Sequence, residues 1–478
     1  MLEGLEISEV LLSKIKNHNK DLRIEAEHQQ KKYSELTKIL SRCKCMKLCE
    51  LVSKPIQTGH TPSMKVDSFY GGKIKFIKTD NLRDNSIMHP FTHYLSEKGN
   101  AEIKRTELKE DDIITTIIGA TYDVIARSCI ISKEILPANI NQNIAHIRPD
   151  KKKINPEYLN IYLNTRYGKM YLEYLSRQME QVNLNCEEVG NVSVPLFSTQ
   201  FQTQIERKVK SAHAFIHKSK LLYEETERIL LCELNINDWK ADSNPVSIKC
   251  LKESFLLSGR FDAEYYQPLY DDYEKLIYNY SNSASIIKDI CQIKDIIFAP
   301  NIKQTYNYIE LSNIGNNGII NECTEGVGEE LPTRARRIVK EGDVIVSSIE
   351  GSLSSCAIVT NEYDGALCST GFYVVSSSYF NPETLLMLFK SEPIQKLMKK
   401  GCSGTILTAI SKSEFEKIPL PLITNDIQDQ IAQKVQESFR LRRESKHLLE
   451  VAKKAVEIAI SENEEKALQY IKENEFFE

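Results

Sequence analysis

The chain has 478 residues, 41% of them hydrophobic and 27% charged, with a formal net charge of −4 at pH 7. This length exceeds what one compact core usually organises, so we expect two or more domains. No run approaches 18 apolar residues, and the first ten residues lack a basic and then an apolar region, so we predict a cytoplasmic protein without a membrane span or secretory signal. The mild acidity argues against a protein that coats nucleic acid, but it is compatible with a DNA reader that has local basic patches.

The twelve cysteines are spread through the chain without the spacing of a disulfide framework. The one cluster, Cys43, Cys45 and Cys49, lacks a nearby fourth ligand and the usual two-residue gap of a zinc site. We therefore predict reduced thiols and no metal site.

The first predicted helix opens with "RIEAEHQQKKY", which begins at Arg23. The sequence "RFDAEYYQPLY" begins at Arg260 and repeats five of its positions: arginine, alanine, glutamate, glutamine and tyrosine. Repetition half a chain apart predicts two copies of one structural unit.

The same order of elements follows each of these helices. Short β-like runs and glycines come next, as in "GGKIKFIKTDNL", "DDIITTIIGA", "DVIVSSIEG" and "GFYVVSS". A helix then begins at Asn155-Pro-Glu in the first copy and at Asn381-Pro-Glu in the second, where proline suits the first helical turn. A short strand ("VPL" or "LPL") leads into a long helix in both copies.

The two long helices carry the clearest pattern. At an offset of 226 residues, Pro195, Gln202, Gln204, Ile205, Lys208 and Val209 recur as Pro421, Gln428, Gln430, Ile431, Lys434 and Val435. A heptad seam passes through Ile205, Val209, Ala212, Ile216, Ser219, Tyr223, Thr226 and Leu230, and through Ile431, Val435, Ser438, Arg442, Ser445, Leu449, Ala452 and Val456. The alternative is a plain amphipathic helix in each domain, but two seams in one register favour mutual antiparallel packing. About 32 residues of helix would give a spacer of roughly 48 Å.

This arrangement resembles the specificity subunit of type I restriction–modification systems over nearly the whole chain. The stretches that carry the resemblance are "GHTPSMKVDSFYGGKIKFIKTDNL" and "NQNIAHIRP" in the first half, and "RRIVKEGDVIVSSIEG", "STGFYVV" and "GTILTAISKSEFEKIPLPL" in the second. Tyr70 stands where the family often has tryptophan, and "PSMKVDSFYGG" has no clean match in the second half.

The resemblance implies an α+β fold in which two α/β target-recognition domains alternate with two long antiparallel coiled-coil helical regions, as a pseudo-twofold internal repeat. We expect a helical region over 1–42, a first target-recognition domain over 43–199, a helical spacer and linker over 200–258, a leading helix and second target-recognition domain over 259–424, and a helical spacer over 425–478. Each domain would read one half of a bipartite double-stranded DNA site. The helices would dock two adenine methyltransferase (modification) subunits, which restriction and translocase subunits would join.

Motifs of catalysis are missing from the sequence. The chain has no Pro-Pro, which the base-binding motif of adenine methyltransferases requires, and no Gly-x4-Gly-Lys-Ser/Thr phosphate loop. We therefore predict a non-catalytic subunit without a cofactor of its own, and expect S-adenosylmethionine and ATP on the partner subunits.

Base reading requires arginine, lysine, asparagine and glutamine on loops or strands, while lysine, serine and threonine hold phosphates. The predicted DNA-binding residues of the first domain are Lys73, Lys75, Lys78, Asn81, Arg83, Thr121 and Tyr122. Those of the second domain are Lys303, Thr305, Tyr306, Arg334, Arg336, Ser352 and Ser355. The alternative for each is an ordinary solvated surface residue.

Two other functions remain open at this point. One is the DNA-specificity subunit of a related phage-defence methylation complex that has no nuclease. The other is a coiled-coil scaffold that binds only proteins, against which the basic, β-rich domains argue.

Overall fold

The computed structural model describes residues 12–13, 24–88, 91–122, 124–178, 181–236, 239, 246–280, 283–404 and 408–475. The chain divides into two compact units. Unit 1 comprises 1–214 and 444–478, and unit 2 comprises 215–443. Both boundaries fall inside a long helix, so each unit includes part of both long helices. Among the described residues, no helix is long and apolar enough to cross a membrane.

The helices of the described residues are, in chain order, α1 (Lys31–Leu40), α2 (Glu97–Glu102), α3 (Pro156–Asn164), α4 (Arg166–Leu175), α5 (Cys186–Gly190), α6 (Thr199–Glu233), α7 (Phe255–Ser258), α8 (Pro268–Tyr278), α9 (Ile287–Ile290), α10 (Pro382–Lys390), α11 (Glu392–Gly401), α12 (Lys412–Glu416), α13 (Asn425–Ser461) and α14 (Glu464–Glu473). The predicted Asn-Pro-Glu helices are α3 and α10, and each is capped by its asparagine side chain. The two long helices, α6 and α13, have 35 and 37 residues.

The strands of unit 1 are β1 (Cys45–Lys47), β2 (Gln57–Thr58), β3 (Tyr70–Ile77), β4 (Leu82–Arg83), β5 (Ser86–Ile87), β6 (Tyr94–Leu95), β7 (Ile113–Thr116), β8 (Ile118–Gly119), β9 (Ser128–Ile130), β10 (Ala138–Ile140), β11 (Ile144–Ile147), β12 (Arg177–Gln178), β13 (Val182–Asn183) and β14 (Ser193–Pro195). They form sheets in the orders β1-β14, β2-β11-β7-β9, β10-β3-β6, β12-β13-β8 and β4-β5.

The strands of unit 2 are β15 (Ala284–Ile286), β16 (Cys291–Lys294), β17 (Thr305–Ile309), β18 (Thr324–Val327), β19 (Ala335–Ile338), β20 (Val344–Ser347), β21 (Cys356–Ile358), β22 (Leu367–Ser369), β23 (Phe372–Ser377), β24 (Cys402–Ser403), β25 (Ala409–Ile410) and β26 (Pro419–Pro421). Their sheets have the orders β15-β26, β16-β23-β20-β21, β18-β17-β22-β19 and β24-β25.

Several sheets of the two units have the same strand arrangement. The sheet β2-β11-β7-β9 has the connectivity of β16-β23-β20-β21, and the parallel pair β3-β10 corresponds to β17-β22. Cys45 pairs with Pro195 across β1-β14, and Ala284 pairs with Pro421 across β15-β26. The fold therefore has mixed helix and strand content, as predicted, with one strand arrangement occurring in both units.

The leading helices also correspond. Gln30 and Gln267 precede the first turns of α1 and α8, and Tyr33 and Tyr270 are buried on those helices. Arg260 is held by Asp262 and by the carbonyl oxygen of Cys402, and its counterpart Arg23 lies outside the described residues. The repeated motif therefore seats a helix against each unit.

The long helices run in opposite directions within each unit. In unit 1, Ile205 and Val209 of α6 share a hydrophobic core with Ala452 and Val456 of α13. In unit 2, Leu230, near the end of α6, shares a core with Ile431, near the start of α13. Burial of these side chains excludes water from both packed segments.

Three positions of the predicted seam depart from it. Ile216 is 40% exposed, and Arg442 and Leu449 are only half-buried. The serine and threonine positions of the seam are buried and hydrogen-bonded. Ser219 and Ser438 share a hydrogen bond of 2.9 Å between their hydroxyl oxygens, and Ser445 donates to the carbonyl oxygen of Ala212 at 2.8 Å. Small hydroxyl residues therefore replace apolar knobs in the middle of each helix.

Candidate nucleic-acid interface

The strands β3 and β17 occupy the same place in the two units and end in the same turn. The backbone N–H of Lys78 donates to Oδ1 of Asn81 at 3.1 Å, and that of Glu310 donates to Oδ1 of Asn313 at 2.7 Å. Asn81 is 6% exposed and also donates through Nδ2 to the carbonyl of Met88. The side chain of Asn81, predicted to bind DNA, is thus hydrogen-bonded within the turn.

The predicted lysines of β3 are brought together on one face of the sheet. Lys73 and Lys75 are two residues apart, so their side chains leave the strand on the same side. Lys75 lies opposite Tyr94 of β6, whose ring is 38% exposed. Nζ of Lys75 also donates to the carbonyl oxygen of Glu134 at 3.3 Å. Two cations and an aromatic ring therefore share this surface. In nucleic-acid complexes, lysines contact phosphates and aromatic rings stack on bases.

The other cations near β3 do not join that face. Nζ of Lys78 lies 5.9 Å from the ring centre of Phe76, and the side chain of Phe76 leaves the strand on the side opposite to Lys75. Arg83 is exposed, and its guanidinium donates to the carbonyl oxygens of Asp80 and Leu82. The predicted loop after β8 places Thr121 in solvent, whereas Tyr122 is half-buried against the unit 1 core.

The second unit presents different groups on the strand that corresponds to β3. Thr305 and Asn307 of β17 are exposed and leave the strand on one side, and Lys303 is exposed just before them. Tyr306 leaves on the other side, packs near Phe298 and is braced through its hydroxyl by Asn301 and Gln304. The cationic surface of β3 therefore has a largely neutral counterpart on β17.

The basic residues of unit 2 lie on and beside β19 instead. Arg334 is exposed before the strand, and Arg336 is half-exposed and donates through Nε to the carbonyl oxygen of Thr333 at 3.1 Å. Their neighbour Arg337 donates to the carbonyl of Phe372 and lies 5.7 Å from the ring of Tyr373. The strand β22 separates β19 from β17, so these arginines and Thr305 belong to different strands of one sheet.

The two predicted serines lie in the loop between β20 and β21. The hydroxyls of Ser352 and Ser347 are 2.9 Å apart, and the carbonyl of Ser355 accepts from the backbone N–H of Ser347 at 3.1 Å. Both serines are half-exposed. The loop is thus anchored to the end of β20, with the side-chain hydroxyl of Ser352 already engaged in the turn.

A buried aspartate immediately precedes β7 in unit 1 and β20 in unit 2. Asp112, 1% exposed, accepts from the backbone N–H of Lys109, and Asp343, 2% exposed, accepts from that of Lys340. Asp112 also accepts from Nε2 of His146 at 2.7 Å and from two nitrogens of Arg148 at 2.6 Å. Burial alone raises the pKa of Asp112, but the hydrogen bonds from Arg148 and His146 outweigh it and hold the pKa at about 2.

The hydrogen-bonded cluster around Asp112 stabilises the fold. His146 is completely buried in β11, and burial lowers its pKa even though Asp112 favours the charged imidazole. In unit 2, the cationic partner comes from another strand, since Nζ of Lys294 on β16 lies 2.6 Å from Asp343. The aspartate is thus common to both units while its cationic partner differs.

Within the described ranges, no group of three or more histidine, cysteine, aspartate or glutamate side chains is arranged to hold a metal ion. Cys43 and Cys45 have thiols whose pKa is raised, chiefly by burial. Cys45 contacts the carbonyl oxygen of Leu40, so these thiols form part of the packing around β1.

Two exposed residues near the predicted surfaces were not found from the sequence. Tyr94 joins Lys75 because the two-residue strand β6 pairs with β3, and no local signal indicates so short a strand. Asn307 was detectable in principle, since it alternates with Thr305 along β17.

Sequence comparison matches residues 284–451 to the family described as "Type I restriction modification DNA specificity domain". The match begins at the first residue of β15 and ends within α13, so it contains the sheets of unit 2. Residues 284–451 are therefore similar to type I restriction–modification specificity domains. The predicted resemblance to specificity subunits is confirmed over these residues.

Two curated relatives show the same similarity. The type I restriction enzyme EcoBI specificity subunit of Escherichia coli is 29% identical over 142 residues, which are 30% of this chain and 29% of that protein. The MjaVIII specificity subunit of Methanocaldococcus jannaschii is 24% identical over 202 residues, which are 42% of this chain and 47% of that protein. The matched regions span less than half the length of either relative.

Structure comparison also finds the S subunit of a type I restriction–modification system from M. genitalium, with 11% identity and a TM-score of 0.40, covering 90% of this chain and 95% of that one. The HsdS subunit from Thermoanaerobacter tengcongensis has 14% identity and a TM-score of 0.30, covering 88% and 97%.

Proposed function

We propose that this chain is the sequence-specific DNA-recognition subunit of a type I restriction–modification complex. Each unit carries one target-recognition domain, and each domain reads one half of a bipartite double-stranded site. The chain performs no chemistry. S-adenosylmethionine and ATP bind to the methyltransferase and restriction subunits that it brings to the DNA.

One observation carries the proposal. The two units share a framework, down to the turn after β3 and β17, yet the side chains that this framework presents differ. Lys73 and Lys75 on β3 correspond to Thr305 and Asn307 on β17. A duplicated scaffold that presents two different polar surfaces suits a reader of two different half-sites.

The long helices supply the second part of the proposal. We take α6 and α13 as an antiparallel coiled coil in a pseudo-twofold repeat, supported by Ile205 with Val456 in unit 1 and Leu230 with Ile431 in unit 2. In this proposal the helices dock the methyltransferase subunits, and the target-recognition domains contact the DNA.

The decisive experiment exchanges one target-recognition domain. Replacing residues 45–195 with the corresponding segment of a related specificity subunit, in cells that express the whole complex, should change one half of the methylated motif and leave the other unchanged. Long-read sequencing of the genomic methylation gives the result directly.

The opposite outcomes are equally clear. A motif altered in both halves, or in neither, would show that the two units do not read separate half-sites. If the chain has no preference among mixed duplexes, alone or in the complex, it is a protein-only scaffold. Methylation without restriction of unmodified DNA would identify a methylation complex that lacks a nuclease.

A further inference from the structure

Unit 2 contains a groove of about 810 Å³ that is lined by none of the predicted DNA-binding residues. Its walls come from the turn at Glu341, the first turn of α10 and the adjoining side of α13. The floor includes the apolar side chains of Ile358 and Phe439. We call this site the acidic groove.

Its charge is one-sided. Four carboxylates line it, from Glu341, Glu362, Glu383 and Asp429, against one guanidinium, from Arg443. Among the described residues, none of these carboxylates forms an ion pair with lysine or arginine. Glu383 accepts a hydrogen bond from the neutral amide of Gln436 at 2.7 Å. Such a surface repels the phosphates of DNA and attracts cations.

The first unit shows what fills the equivalent position. At the offset of 226 residues, Glu383 corresponds to Glu157, Gln436 to Lys210 and Ala432 to Glu206. In unit 1, Nζ of Lys210 lies 3.5 Å from Glu157 and also contacts Glu206. One copy of the framework therefore carries its own ammonium group at the site where the other has a neutral glutamine and a small alanine.

We propose that the acidic groove binds a basic segment of a protein partner, in which a lysine or arginine lies against Glu383 and an adjacent apolar side chain covers Phe439 and Ile358. The ammonium of Lys210 beside Glu157 is the intramolecular equivalent of the contact. Charge complementarity selects the basic segment, and the apolar floor favours a protein over a free metal ion or nucleic acid. The identification of this partner as a methyltransferase subunit rests on the proposed function.

The test transfers the ion pair of unit 1 into unit 2. Ala432→Glu with Gln436→Lys supplies an internal cation to Glu383, in a geometry that the chain already tolerates at Glu206 and Lys210. We expect the full-length variant to bind its co-expressed methyltransferase subunit about tenfold more weakly, measured by biolayer interferometry. Its DNA affinity and melting temperature should be unchanged.

A second variant keeps the test independent of the added side chains. Glu383→Gln with Asp429→Asn removes two charges without changing volume, and should weaken the same interaction. The matched control, Glu206→Ala with Lys210→Gln in unit 1, should not weaken it. Unchanged partner binding in both unit 2 variants would overturn the proposal.

Other occupants give different results. A changed DNA affinity of the purified full-length variants, without the partner, would identify nucleic acid as the occupant. Partner binding that disappears in EDTA would identify a divalent cation. Either result overturns the proposal. The exchange of the first target-recognition domain, by contrast, tests DNA reading, and its outcome does not depend on this groove.

Discussion

The backbone N–H of Asn155 donates to Oε1 of Gln202 at 3.0 Å, across 47 residues of sequence. Nε2 of the same glutamine donates to the carbonyl oxygen of Phe197 at 3.0 Å. Gln428 repeats both bonds, with the N–H of Asn381 and the carbonyl of Ile423, again at 3.0 Å. A buried amide thus connects the start of α3 or α10 to the long helix that follows it, and it does so in both units.

Replacing either glutamine by leucine should destabilise its own unit. Gln202→Leu leaves the N–H of Asn155 and the carbonyl of Phe197 without these partners, and Gln428→Leu leaves the N–H of Asn381, while the carbonyl of Ile423 keeps the hydroxyl of Tyr379 at 3.3 Å. An unsatisfied buried group costs about 1–3 kcal/mol. Hydrogen exchange resolved by mass spectrometry should show faster exchange at α3 for Gln202→Leu and at α10 for Gln428→Leu. Equal protection in variant and wild type would show that these bonds contribute little. The half-exposed Gln204 and the exposed Gln430 are the control positions.

Asp112→Asn should be more damaging than Asp343→Asn. Asp112 is held by both Arg148 and His146, so its neutralisation leaves buried donors facing an amide and costs about 3 kcal/mol. Asp343 faces one lysine, Lys294, that is itself 32% exposed, so its loss should cost about 1–2 kcal/mol. Urea unfolding at pH 7 measures the difference, and the reverse order would contradict it.

The stability of unit 1 should fall as the pH drops below about 6.5, the ordinary pKa of histidine. Burial lowers the pKa of His146 in the folded protein, so below that pH the unfolded chain binds a proton that the folded chain does not. Asp112, with a pKa of about 2, adds a further loss only at much lower pH. Urea unfolding followed at pH 7 and pH 5.5 should show this dependence.

His146→Gln is the matching control for that pH dependence. Glutamine keeps a nitrogen donor for Asp112 but does not titrate, so the variant should lose less stability than wild type between the two pH values. Identical pH dependence in both proteins would assign the effect to other groups.

Ser219→Cys with Ser438→Cys should form a disulfide within one molecule. The hydroxyl oxygens of these serines are 2.9 Å apart between antiparallel helices, a separation that brings two thiols into reach. Mass spectrometry of the oxidised, non-reduced protein reports the linkage, with each single variant as its control. A disulfide that forms only between molecules would show that the helices pair in another way.

Lys73→Ala with Lys75→Ala should weaken DNA binding mainly through phosphates. Removing two such contacts should reduce the slope of log affinity against log salt by about 2 and lower affinity for all sequences.

Arg336→Ala should instead weaken recognition of the second half-site by roughly 1–3 kcal/mol if the arginine reads a base. Fluorescence anisotropy over a range of salt concentrations separates these behaviours, and an unchanged slope would exclude β3 from the interface.

The sequence by itself determined the repeat and the elements that carry it. Asn-Pro-Glu predicted the start of α3 and α10, and thirteen of the sixteen positions of the predicted heptad seams are buried, because helix capping and helical periodicity depend on residues close together in the chain. Only the tertiary structure decided which predicted residues face solvent. Asn81 is enclosed by a turn, Ile216 is exposed, and Lys75 shares its face with Tyr94, since each of these depends on strands or helices distant in sequence. The acidic groove is also a feature that only the tertiary structure decided. Its carboxylates are separated by up to 88 residues, from Glu341 to Asp429, and only folding places them around one cavity.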